Sequence, residues 1–403
     1  MPPEITSLFQ EDYHECLGRL RASLAELLTK AGVLNARPQE ISREFQLNKN
    51  LTWKISKLIH EDPDHNTLAF IPGPSGLQIF LEAMSQKGIP SAPISGVEQA
   101  FQQFQEMVTR HAGDRPTLQL LLDNLAMAEG DSPRLEESRR LAFLGNSGLL
   151  GIQANVRFAS FFFAPNPTDP SMLDKAFLGG LLGLRRFRPD ASWVLLRHSA
   201  HDADGKPVPA PNRIPLDPNF NGHGPTLLGD FSSSPTPEVQ VRKLRKEEFF
   251  ELDKGPIGNT GIGDLCFGHF SLQDVPRYAT QAGEEGLLHL FLASPVETLV
   301  YDVFLHKDID CPTPPSAEMS LDFHRVDGEH YVDKSPLPNQ PRQLRGISPS
   351  LSTPLIPNYA GMTDLVWERL GWKAQDFRAW RMEVKFPPIP GTLTLKFGLA
   401  EAP

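Results

Sequence analysis

A chain of 403 residues is long enough for two or three domains, and its 40% hydrophobic and 22% charged residues are the balance of an ordinary folded protein, which excludes global disorder. A net charge of −10 excludes nucleic-acid binding through bulk positive charge, so any such binding needs a local patch. Thirty-eight prolines, about 9% of the chain against a usual ~5%, exclude long helices throughout, because proline breaks them.

The three cysteines, Cys16, Cys266 and Cys311, lie far apart and form neither a disulfide framework nor a CxxC metal pair. The opening Met1-Pro2-Pro3-Glu4 has no basic or apolar leader character, and the longest apolar stretch, around Phe158–Pro165, is too short to span a bilayer. The expectation is a cytoplasmic protein with no membrane partner.

In chain order, Leu17, Leu20, Leu24, Leu27 and Leu28 recur at three- and four-residue spacing and predict a helix from Thr6 to Ala31, stopped by Gly32. Pro38 opens a short second helix with Ile41 and Phe45 on its apolar side. Leu51, Ile55 and Leu58 mark a third, and Pro74 opens a fourth that carries Leu77, Phe80, Leu81 and Met84 and closes at Gly88. Helical patterns follow over Val97–His111 and Pro116–Ala128. Residues 136–188 mix leucines with glycines, and Lys175–Arg186 reads as one more helix in an apolar join between two halves.

Proline usage then changes: about ten fall in the first 160 residues and about 28 in the rest. Beyond residue 190, short Val-, Leu-, Phe- and Tyr-rich runs alternate with turn residues and predict strands at Trp193–Leu196, Val239–Leu244, Leu265–Leu272, Leu287–Leu292, Thr298–Leu305, Met382–Phe386 and Thr392–Phe397. The last two read as a hairpin across Pro387-Pro388-Ile389-Pro390-Gly391. Residues 200–238 and 307–358 read as long loops.

The strongest functional signal spans residues 38–60. Phe45, Leu47, Leu51, Ile55 and Leu58 would pack in the crook of two crossing helices, with Leu47 plugging the turn and Asn48 capping the second helix. The outward face of that helix carries Lys49, Asn50, Trp53, Lys54 and Lys57. Asn can bond adenine in the major groove, and Lys can bond guanine or phosphate. Between Arg37 and Lys57 stand five basic and two acidic residues, a surplus of +3 in an acidic chain.

This segment resembles the helix-turn-helix of bacterial and phage transcriptional regulators, including winged versions, over about 60 residues ending near Pro74. It departs from the usual pattern at Gln46, where the family often has Gly, at Ser42, where it often has Ala, and at Thr52, where Val or Ile is common. Leu68-Ala69-Phe70-Ile71 is at most a rudimentary wing. The resemblance implies a DNA-contacting set of Arg37, Arg43, Asn48, Lys49, Asn50, Trp53, Lys54 and Lys57, with the two arginines on phosphates. Trp53 reads better as partly buried against a neighbour than as a stacking group. A three-helix unit of this kind also serves as a protein-docking module, and that alternative stays open.

Elsewhere the signals are weak. His198-Ser199-Ala200-His201-Asp202-Ala203-Asp204 groups metal-ligating residues, but it follows a strand and reads as a solvated loop. His223 stands in a turn without a partner. Gly255–Asp264 is glycine-rich but matches neither a phosphate-binding loop nor a dinucleotide fingerprint. Cys311 is a candidate exposed thiol. Gln153, Asn155 and Arg157 are polar groups in an apolar block that either bind an anionic ligand or bond neighbouring loops. No catalytic constellation, metal site or cofactor is expected.

Together these readings predict an α+β protein: a helix-turn-helix domain over 1–73, a helical linker or dimerisation region over 74–190, and a β-rich domain over 191–403. The expected function is a dimeric DNA-binding regulator with a C-terminal sensing or assembly domain, whose small-molecule ligand is unidentified.

Overall fold

The computed structural model describes residues 3–60, 67–128, 132–191, 193–198, 200–201, 207–208, 213–220, 225–244, 247–281, 283–326, 329–335, 337, 339–345, 351 and 353–402. Two compact units divide the chain, unit 1 at Met1–Arg134 and unit 2 at Leu135–Pro403. The mixture of helices and sheets makes it an α+β protein.

Unit 1 consists of helices α1 (Pro3–Lys30), α2 (Pro38–Glu44), α3 (Lys49–His60), α4 (Pro74–Gln86), α5 (Ser91–His111) and α6 (Arg115–Ala128). The leucine stripe of α1 is fully buried in one core with Phe80 and Met84 of α4 and Val97 and Phe104 of α5. Each such side chain contributes about 1.5–3 kcal/mol by leaving water. Helix α1 runs antiparallel to α5: Asp12 meets His111 at 2.8 Å, and Arg19 reaches Gln103 at 3.2 Å. Glycines end α1 and α4 by one device. Gly32 and Gly88 take φ of +71° and +80°, and the amides of Val33 and Ile89 reach back to the carbonyls of Leu28 and Met84.

Helix α7 (Ser132–Leu150) leads into unit 2, and Gly151, at φ +71°, turns the chain into the first strand. The strands are β1 (Ile152–Pro165), β2 (Met172–Arg186), β3 (Trp193–His198), β4 (Ala200–His201), β5 (Pro207–Val208), β6 (Ile214–Pro215), β7 (Val239–Leu244) and β8 (Glu247–Leu252). They continue with β9 (Gly263–Pro276), β10 (Glu285–Leu292), β11 (Val296–His306), β12 (Ser316–Val326), β13 (Glu329–Ser335), β14 (Arg342–Leu344), β15 (Phe377–Lys385) and β16 (Gly391–Gly398), with helix α8 (Tyr359–Leu370) before β15.

A seven-stranded sheet of order β14-β15-β11-β1-β2-β9-β6 is the backbone of unit 2, with β1 and β11 parallel and its other pairs antiparallel. One face, with Phe158 and Phe162 of β1, packs under Tyr359, Met362 and Val366 of α8. The other, with Ala159 and Phe163, packs on Leu290, Leu393 and Leu395 of a four-stranded sheet, β10-β16-β12-β13. A three-stranded sheet, β3-β8-β7, brings Trp193 and Leu195 against Ile152 and Leu181 at one end of the same sheet.

Four expectations are corrected. Lys175–Arg186 is not a helix but most of β2, so the helical region expected through residue 190 ends at Leu150. Strand β2 is buried on both faces, which removes the alternation that would have marked it as a strand. Its glycines serve packing, since a Cβ on Gly180 would collide with the Phe158 ring and one on Gly179 with the Phe177 ring. The expected C-terminal hairpin does not form: β15 pairs with β11 and β14, while β16 pairs with β10 and β12, so the proline-rich connection passes from one sheet to the other. The stretch 307–358 contains β12, β13 and β14 rather than one long loop. Finally, Leu68–Phe70 lies in a 3-10 turn, Thr67–Phe70, and unit 1 has no strand among the described residues, so the resemblance does not extend to a wing.

Candidate nucleic-acid interface

Helices α2 and α3 are built by local chemistry. Pro38 takes the first position of α2, and the Glu40 carboxylate accepts the Arg37 amide at 2.9 Å. Asn48 caps α3 by accepting the Asn50 amide at 2.8 Å. Between the helices the chain turns through Gln46 at φ +54°. A two-way bond closes the turn: the Leu47 amide donates to the Ser42 carbonyl at 2.9 Å, and the Ser42 hydroxyl donates to the Leu47 carbonyl at 2.7 Å. The buried Thr52 hydroxyl lies 2.9 Å from the Pro38 carbonyl and ties α3 to the start of α2. The three departures from the usual regulator pattern thus have local reasons. Gln46 occupies the left-handed position that favours glycine, and Ser42 and Thr52 hydrogen-bond across the turn.

Ile41, Phe45, Leu47, Ile55 and Leu58 are buried in the crook, and Leu51 packs beside them. Arg21 of α1 donates to the Ile59 carbonyl at 3.1 Å, and the half-buried Arg115 of α6 clamps the carbonyls of Ile71 and Pro72 at 3.0 Å each. These bonds fix α3 from its far end and hold the chain that follows it.

The opposite side of α3 faces outward. At 100° per residue, Lys49, Trp53, Lys57, Asn50 and Lys54 fall on one arc of about 140°. Arg37, Arg43, Asn48, Lys49 and Asn50 are exposed, Lys54 and Lys57 are half-buried, and Trp53 is 45% exposed. The Trp53 ring stands edge-on to Phe70 at 5.5 Å, and Lys57 Nζ lies 5.9 Å from its centroid. The eight residues named from the sequence therefore lie on one short two-helix segment, six of them exposed and Lys54 and Lys57 half-buried.

Among the described residues, the other sequence candidates gather into no site. His198 and His201 fall in β3 and β4, and Ser199, Asp202–Asp204 and His223 lie outside the described residues. Among the described residues, no group of three His, Cys, Asp or Glu is placed to hold a metal. The glycine-rich stretch forms a 3-10 turn, Gly258–Gly261, before β9, with no helix N-terminus to receive phosphate. Cys266 is buried and its thiol is pushed up to about 12 by burial, while Cys311 is half-buried and donates to the Thr313 carbonyl at 2.9 Å. Gln153 is half-buried, Asn155 exposed and Arg157 buried on β1.

Sequence reasoning missed a buried polar row across unit 2. Ser160, Asp302 and Arg381 are neighbours on β1, β11 and β15. Arg381 grips Asp302 through Nε at 3.0 Å and Nη2 at 2.8 Å. The Tyr359 hydroxyl at the start of α8 donates to Asp302 Oδ2 at 2.7 Å, which leaves Ser160 to donate to the Tyr359 oxygen at 2.5 Å. Burial drives Asp302 upward, and Arg381 opposes it. Burial works against the charge of Arg381, but the Asp302 carboxylate raises it above its ordinary range. We assign an ion pair, because each hydrogen bond of the row joins a donor to a charged or donor-matched oxygen. The Tyr359 hydroxyl that Ser160 bonds is held far above its ordinary value by burial and by Asp302. The row fastens α8 to the sheet. No signal in the sequence marks it, since its members lie up to 221 positions apart and meet only through strand register.

No family model and no curated protein matches the chain. Among solved structures, an M1 zinc metallopeptidase from Deinococcus radiodurans aligns at 10% identity and a TM-score of 0.23, over 61% of this chain and 42% of that one. Its complex with a Tyr-Ser-Ala substrate aligns at 11% identity and a TM-score of 0.22. The chain spans less than half the length of these enzymes, and at such scores no property carries over. No helix among the described residues is long and apolar enough to cross a membrane.

Proposed function

We propose that the protein is a DNA-binding transcriptional regulator in which α3 of unit 1 enters the major groove of duplex DNA. The observation that carries this proposal is the outward arc of exposed Lys49, Asn50 and Trp53 with half-buried Lys54 and Lys57, on a capped helix whose opposite side is sealed in a core. Arg37 and Arg43 flank it and are assigned to phosphates, while Asn50 and the lysines are assigned to base edges and phosphates. Trp53 rests on Phe70 and stiffens the arc.

One helix-turn-helix reads too few base pairs for tight binding, so the active form is a homodimer on paired half-sites. The apolar stripes of α1 and α5 are buried together in the core of unit 1. Unit 2 serves as the sensing or assembly part.

Selection of the purified protein against random duplex DNA at two salt concentrations tests the proposal. An enriched motif with two half-sites is the expected result. Replacing Lys54 and Lys57 by Ala is expected to weaken binding and to reduce the log–log salt slope by about one for each phosphate no longer neutralised. Absence of any enriched motif, with weak binding abolished by modest salt, rejects the proposal and leaves the unit as a protein-docking module.

A further inference from the structure

We propose that two copies of this chain pair through α7, whose outward stripe packs antiparallel against the same stripe of the second copy. The pairing supplies the surface for the homodimer that the regulator reading calls for. It rests on that reading for its use, but its test needs no DNA.

One side of α7 is fixed by its own unit. Arg139, Phe143 and Ser147 are buried there; the Phe143 ring lies 5.4 Å from the Phe386 ring, and Arg139 reaches the Ser335 hydroxyl at 3.4 Å. At 100° per residue, Glu137, Leu141, Leu144, Gly145, Gly148 and Leu149 fall on the opposite side, within an arc of about 140°. All six are exposed, and Leu141, Leu144 and Leu149 stand 57%, 49% and 76% open. Leu150 and Phe187, both exposed, extend the patch at the end of the helix, where the Phe187 amide donates to the Gly151 carbonyl at 2.8 Å. The leucines of α1 recur at similar spacing and are buried in a core. Leucines with that rhythm left open to solvent mark a face that a partner covers.

The glycines and the charges argue for a second copy as that partner. Gly145 and Gly148 weaken the helix that contains them, and a Cβ on either would meet nothing within 4 Å, so packing inside the chain does not require them. A facing helix does use them, since bare backbone lets two helices approach to the short end of the usual range of about 8–10 Å between axes. Gly145 lies midway between Leu141 and Leu149. A two-fold crossing at Gly145 therefore sets Leu141 of one copy against the partner's Leu149, and a self-complementary contact of this kind closes at two copies. The ends of the stripe match in charge as well. Exposed Glu136 and Glu137 stand at its N-terminal end, offset in part by Arg140, which donates to Glu137 at 2.8 Å. At its C-terminal end exposed Arg188 donates to the Leu150 carbonyl at 3.3 Å; Arg185 adds to that charge and Asp190 offsets one of the two. Antiparallel pairing brings the acidic end of each copy to the basic end of the other and opposes the two helix dipoles. The stripe is smaller than the ~800 Å² per partner of a standard interface, so association in the micromolar range is expected.

The test uses the full-length protein without DNA. Sedimentation from about 1 to 200 μM is expected to show a monomer–dimer equilibrium. Leu144→Glu puts like charges beside the two-fold axis and is expected to raise the dissociation constant at least about tenfold, with thermal unfolding of the monomer unchanged. A wild-type chain that stays monomeric throughout overturns the proposal and means that another part of the chain or a different protein covers the stripe. A Leu144→Glu chain that dimerises like the wild type also overturns it, by placing the contact elsewhere. Should Leu144→Glu fail to fold, crosslinking decides. In a chain whose half-buried Cys16 and Cys311 are replaced by Ser, Leu141→Cys combined with Leu149→Cys is expected to form an intermolecular disulfide under mild oxidation. Each single change alone is expected to form little. The two positions are about 12 Å apart along one helix, too far for a bond within a copy. Absence of the crosslink in the double variant, or equal crosslinking by the single variants, overturns the antiparallel pairing. A dimer that selects no DNA motif rejects the regulator reading and leaves the α7 contact standing.

Discussion

Gln46 shows how a single residue can be right for the fold and still costly. A non-glycine residue at φ +54° carries a steric penalty of about 1–2 kcal/mol, part of which glycine would give back as chain entropy. Gln46→Gly is therefore expected to raise the stability of unit 1 by about 0.5–1 kcal/mol in urea unfolding, with the arc on α3 unchanged. The buried ion pair of unit 2 behaves in the opposite way. Asp302→Asn strips Arg381 of its charge partner at a buried position and is expected to cost about 3–5 kcal/mol, whereas Asp302→Leu combined with Arg381→Met costs much less. A double-mutant cycle by denaturant unfolding measures the difference. The sequence shows Pro38 and the Asn48 cap, because each acts within three residues of itself. It does not show the pairing of Asp302 with Arg381, 79 positions apart, because only the β11–β15 register brings them together.

At the scale of elements, the helices of unit 1 were legible because each buries one side only and so keeps a 3.6-residue rhythm. Strand β2 was not, since it is covered on both faces and its leucines and glycines fit either period. The β15 and β16 strands were legible as strands, but their partners were not, because pairing is a choice among distant edges. The end of β11 also carries a pH response. His306 is pulled below its ordinary value of 6.5, first by burial; Asp308 and Asp376 oppose this, and Lys307 and Arg277 add to it. Its Nδ1 accepts the Asp308 amide at 3.2 Å, and its ring stands edge-on to Phe377 at 5.2 Å, so the fold holds the neutral form. Below 6.5 the unfolded chain binds the proton and the folded one does not, so stability falls as pH drops from 6.5 toward the lowered value, and this contribution is flat above 6.5. His306→Asn, which keeps an acceptor but cannot titrate, is expected to remove that part of the acid slope in unfolding measured from about pH 7.5 to 5.

At the scale of the molecule, cores that do not cross between the two units predict two separable parts. The unit 1 core is drawn entirely from residues within Met1–Arg134, and the three cores of unit 2 from residues beyond it. A fragment of residues 1–134 is therefore expected to fold cooperatively by circular dichroism and to keep sequence-selective DNA affinity, weakened wherever dimer contacts lie outside it. Loss of folding in the fragment would show that its core depends on the rest of the chain.

Local chain chemistry alone set the α+β class, the helices of unit 1 and the basic arc on α3, because caps, glycine stops and amphipathic spacing act over one or two turns of chain. Long-range packing settled that β2 is a strand, that β15 and β16 belong to different sheets, and that Tyr359 locks α8 onto Asp302. Those outcomes depend on which distant surfaces exclude water from one another, and no local pattern encodes that choice.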